Sequence, residues 1–192
     1  MRCTRSPDCV RFFLLARLSS GLGDRCRYVH QRPLDMVQEK LELIREHFLP
    51  LNGHTIVRFE TAEILHGDGT WSEWPDLPIR LFTDRGRAVS VCWSRFDDLF
   101  IVDGYGLPFD VDPETTRWRT NLPDKLDSII GKKICGTMIG RGEMSIEGKD
   151  IPIWTRLVMN LDGTWLEIFN ALDENGYEIH DSKPDGEFQM CT

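Results

Sequence analysis

Between Thr55 and Phe169 the apolar residues recur mostly at period two, in short runs broken by tight turns. That rhythm constrains the chain to sheets of antiparallel neighbours. Connections of a few residues cannot join parallel strands, which need a crossover of about a dozen residues or more. Thr55 to Leu65, Leu77 to Thr83 and Arg87 to Trp93 read as strands, the last two around the hairpin turn Asp84-Arg85-Gly86. Val57 and Phe59 are expected on one face of the first strand, with Arg58 and Glu60 on the other. Leu99 to Val102, Ile134 to Ile139, Glu143 to Glu147, Ile151 to Met159 and Trp165 to Phe169 bring the set to about eight. Tyr105 to Pro113 reads as loop.

One segment has a different period. Val37, Leu41, Ile44 and Phe48 form a single apolar stripe, which predicts a helix over 33–49. Asp35 followed by Gln38 resembles a capping box, and Pro50 stops the helix. Asn121 before Leu122-Pro123-Asp124 predicts a second, short helix through Ile130, ended by Gly131. The expected fold class is α+β. A single domain over 33–180 would hold one large, twisted, mainly antiparallel sheet, an N-terminal helix and one short internal helix. A sheet of about eight strands is expected to curl towards a barrel, since wide sheets rarely stay flat. Residues 181–192 are polar, with Pro184 and Gly186, and are expected to be a loose tail.

Charge is unevenly spread over the 192 residues. The chain carries −8 in total, while residues 1–32 hold seven arginines and two aspartates, a balance of +5 that leaves −13 for the rest. The Arg-rich leader is expected to lie outside the fold, with Met36 as an alternative start. Its apolar stretch, Val10 to Leu18, is interrupted by Arg11 and Arg17, which suits an export signal poorly. No apolar run approaches the roughly 20 residues of a membrane span. A cytoplasmic protein with no membrane partner is therefore expected. Cys3, Cys9, Cys26, Cys92, Cys135 and Cys191 contain no C-x-x-C pair. Cys92 and Cys135 sit in apolar strand patterns and are expected to be reduced and buried. A charge of −13 repels phosphate, so direct binding of nucleic acid is not expected. The same charge attracts a basic protein and speeds encounter with it.

The chain has no P-loop, G-x-G-x-x-G, H-E-x-x-H or G-x-S-x-G motif. His30, His47, His54, His66 and His180 include no i, i+4 pair. No catalytic residue, metal or cofactor is expected. Asp110, Asp112 and Glu114 lack the spacing and glycine of an EF-hand and read as a solvated loop. Asp68-Gly69-Thr70-Trp71-Ser72-Glu73 recurs as Asp162-Gly163-Thr164-Trp165-Leu166-Glu167, which turn chemistry alone explains. Six tryptophans stand out. Trp93 and Trp154 read as core, whereas Trp71, Trp74 and Trp118 lie in polar segments, and exposed tryptophans are enriched at contact sites.

These features favour a non-enzymatic acidic binding protein, of the inhibitor or immunity type, for a basic partner. Its expected contact surface is Trp71, Glu73, Trp74 and Asp76 with Asp97, Asp98 and Asp103. The alternative is a small-ligand or small hydrolytic domain with a pocket in a curved sheet. His66, Glu73, Asp97 and Asp98 would be its polar groups.

Overall fold

A computed structural model describes residues 33–94, 97–146, 149–171 and 174–191. The basic leader, residues 1–32, lies outside the described residues. Helix α1 (Pro33–Phe48) runs into a 3₁₀ turn at Leu49–Leu51, where Pro50 removes a helix donor. Val37, Leu41, Ile44 and Phe48 are all buried, as the stripe predicts. Each such side chain contributes about 1.5–3 kcal/mol of burial free energy.

Strand β1 (Ile56–Leu65) is followed by β2 (Trp71–Glu73), β3 (Ile79–Thr83), β4 (Ala88–Ser94), β5 (Asp98–Asp103) and β6 (Thr116–Thr120). After a short 3₁₀ helix at Asp124–Ile129 come β7 (Ile134–Ile146), β8 (Lys149–Leu161), β9 (Thr164–Asn170), β10 (Asn175–His180) and β11 (Phe188–Met190). The pairing is antiparallel throughout, and the class is α+β. The single sheet of about eight strands is corrected to two sheets, neither closed. One has six strands, with β2 and β6 on β1 and the run β1-β3-β4-β5; the other is β10-β9-β8-β7-β11. The backbone passes from one sheet to the other through the 3₁₀ helix, and beside it the sheets meet at a lone bridge, Thr55 to Lys133.

The extra strands escape a sequence reading because they are short or polar. Strand β6 reads Thr-Arg-Trp-Arg-Thr, and β10 holds Asn175, Glu178 and His180. The expected loose tail is also corrected: β11 pairs with β7, and the Cys191 N–H donates to Thr137 O with Cys191 itself buried. Gly140 permits this docking, because a Cβ there would run into the ring of Phe188. At the first strand, an irregularity between Ile56 and Arg58 leaves Val57 exposed, while Ile56 and Phe59 both reach the core.

One core serves both sheets. It joins the α1 stripe to Phe59, Leu81, Val91 and Trp93 from the first sheet and Leu157, Met159, Leu166 and Ile168 from the second. Trp93 is its centre. Its indole N–H donates to Ile168 O at 2.9 Å, and its backbone N–H donates to Asn175 Oδ1 at 2.6 Å. Asn175 in turn donates to Pro75 O, so one side chain ties the two sheets. Cys92 is buried, and desolvation pushes its thiol up to about 12. Cys135, expected inside, is exposed: Ile134 takes the core position, and the next residue of a strand faces the other way. Trp118 is stacked rather than free, 3.2 Å from the Arg80 guanidinium.

Candidate functional site

Alternation along β8, β9 and β10 sends Leu157, Met159, Leu166 and Ile168 to the core and leaves a polar set on the opposite face. That set contains Arg156, Glu167, Glu178 and His180. Strand register brings them together. The Asp162-Gly163 turn, with φ of 55° and 86°, is a tight hairpin that pairs Arg156 with Phe169 and Val158 with Glu167. Arg156 and Glu167 are therefore diagonal neighbours on one face. In the next pair, Glu167 lies opposite Glu178, and Trp165 lies opposite His180.

Glu167 is the anchor, with a side chain only 4% exposed. Its Oε1 accepts from Arg156 Nε at 2.5 Å, and its Oε2 accepts from Arg156 Nη2 at 3.1 Å. The His180 Nε2 lies 3.0 Å from the same Oε2. An ion-paired carboxylate accepts, so Nε2 carries the proton and the ring presents Nδ1 as its second nitrogen. The hydrogen bond to Glu167, followed by its charge, holds the Arg156 guanidinium above its ordinary pKa. Arg156 Nη1 also donates to Asp185 O at 3.0 Å, fastening the 181–187 segment over the sheet.

Under that segment lies an open cleft of about 920 Å³. Ile153 and Phe169 supply its apolar wall, and Thr155, His180, Glu178, Ser182 and Lys183 supply polar groups. The volume falls in the usual range of small-molecule sites. Glu167, Glu178 and His180 also bring three metal-ligating atoms within 4.8 Å of one another, where the sequence predicts no metal ligand.

The residues expected from sequence lie elsewhere. Trp71, Glu73, Trp74 and Asp76 share β2 and the turn after it. The Arg117 guanidinium lies 4.2 Å from the Trp71 ring, and Trp74 donates its own N–H to Asp76 at 2.9 Å. Glu73 is exposed. Asp97, Asp98 and Asp103 belong to β5 and its approach; β5 pairs with β4, whereas β2 pairs with β1. Asp97 is held by Lys40 at 3.1 Å, and Asp103 accepts from Arg87 at 2.8 Å, so both charges are met internally. Asp98 is exposed. His66 is an exposed turn residue 2.6 Å from Ser72 Oγ. None of the four residues of the expected pocket, His66, Glu73, Asp97 and Asp98, lines the cleft.

Compared with known proteins, the chain matches no family model, no curated protein and no solved structure. Among the described residues no helix is long and apolar enough to cross a membrane.

Proposed function

We propose that this protein binds a small polar molecule in the cleft on the outer face of the second sheet. The observation that carries this reading is the buried Glu167, which fixes Arg156 and His180 at the floor of a cavity of about 920 Å³. An outward-facing glutamate is rarely so deeply buried, and here an arginine and a histidine satisfy it. The apolar part of the ligand would rest on Ile153 and Phe169. Its polar part would meet the His180 ring, Glu178 and Lys183. The fixed His180 also gives the site a group suited to proton transfer, so a hydrolytic role belongs to the same reading. A reducing, cytoplasmic setting fits the free thiols of Cys92, Cys135 and Cys191.

The test is a thermal-shift screen of metabolites against the full chain and against Ser182→Trp. Ser182 is exposed and lines the cleft, so the indole fills the cavity without entering the core. A true ligand raises the melting temperature of the wild type in a concentration-dependent way and leaves Ser182→Trp unmoved. Compounds that shift both proteins equally would contradict the reading.

A second reading, an acidic surface for a basic partner, keeps the exposed Glu73 between Trp71 and Trp74 and the −13 of residues 33–192. It is weakened by the internal pairing of Asp97 and Asp103.

A further inference from the structure

We infer that the cleft binds a divalent first-row transition ion, of the zinc type, between His180, Glu178 and Glu167. The inference rests on the cleft reading for its open coordination positions. His180 Nε2 lies 3.0 Å from Glu167 Oε2 and 3.7 Å from Glu178 Oε2. A tetrahedral ion with bonds of about 2.0–2.1 Å holds neighbouring ligand atoms about 3.3 Å apart. The two distances bracket that value. The ion takes the place of the proton between Nε2 and Oε2, and that proton moves to Nδ1, so the ring ligates as neutral imidazole.

Charge supports the same placement. Glu167 and Glu178 are direct cross-strand partners, a position where like charges repel. Arg156 holds Glu167 through direct hydrogen bonds and reaches Glu178 only through its charge, while His180 Nε2 lies 3.7 Å from Glu178 Oε2. A dication between the strands answers both carboxylates. Arg156 keeps its Nε on Oε1 and orients Glu167, as outer partners of metal ligands do. The imidazole nitrogen favours zinc-type ions over calcium or magnesium, which prefer oxygen. Any remaining position opens on the cleft, where water or a donor group of the ligand completes the sphere.

The test titrates Zn²⁺ alone and Co²⁺ alone into the full chain, by calorimetry and absorption. The expected result is one ion per chain and a Co²⁺ spectrum without an intense thiolate band. Glu178→Gln and His180→Gln each weaken binding about tenfold or more, and Cys135→Ser leaves it unchanged. The substituted side chains are 59% and 27% exposed, so the fold is not at stake. Absence of binding, an unchanged affinity in Glu178→Gln, or a thiolate band overturns the inference. Chelator-treated protein separates the two readings. Where the ion fails those tests, small-molecule hits that persist there and remain sensitive to Ser182→Trp leave the cleft reading standing; if hits are absent from treated and untreated protein alike, the cleft reading fails as well.

Discussion

Arg156→Met lowers the stability of the folded chain by about 3 kcal/mol. The substitution keeps the apolar stem but removes the guanidinium that meets both oxygens of Glu167. A carboxylate 4% exposed is left with His180 alone. An uncompensated buried charge is costly, whereas a buried pair as a whole contributes little. The double variant Arg156→Met, Glu167→Met therefore recovers most of the loss. Urea unfolding of the four proteins in this cycle gives the coupling directly. A second signature accompanies the loss of stability. Arg156 Nη1 holds Asp185 O, so amide protons of 185–191 exchange faster in Arg156→Met even under native conditions. If both single variants cost less than about 1 kcal/mol, Glu167 is not a buried anchor and the site loses its floor.

Trp93→Ala is expected to cost about 3–5 kcal/mol, the range for emptying a core aromatic position. Trp93 is 1% exposed at the junction of both sheets and α1. Its removal leaves a cavity and strips Ile168 O of its indole donor. Trp93→Phe, which keeps a ring but not the N–H, costs about 1–3 kcal/mol through that unmet acceptor. Trp71→Ala provides the contrast. Its partner is the half-exposed Arg117, and such a stack contributes about 1 kcal/mol or less. Denaturant midpoints for the three variants check this order. Equal effects at Trp93 and Trp71 would mean that the two sheets do not share a core.

The helix stripe and most strands were legible because burial writes itself as period. Val37, Leu41, Ile44 and Phe48 announce α1, and alternation announces β3, β4 and β9. Strands β6, β10 and β11 were not legible, since their backbone pairs are made by polar or very short segments. The division into two sheets depends on long-range contacts, such as Trp93 to Asn175, that no local pattern carries. The candidate site was half written. The Asp162-Gly163 turn fixes a hairpin register, and that register places Arg156 diagonally across from Glu167 on one face. Two opposite charges, each among apolar strand residues and facing away from the core, were the available signal. The third member, His180, reaches the site through β10, whose sequence gives little sign of a strand. The acidic and tryptophan clusters attracted attention by composition, yet composition does not show that Lys40 and Arg87 already hold Asp97 and Asp103.

We propose that this protein meets its ligand on the outer face of the second sheet. Backbone amide NMR of the full chain, titrated with the first compound that raises its melting temperature, tests it most directly. The expected shifts are concentrated at Thr155 and Arg156, at Glu167 to Asn170 and at Glu178 to Asp185. Shifts centred instead on Trp71 to Asp76 and Asp97 to Asp103 would contradict it and return the weight to the acidic surface.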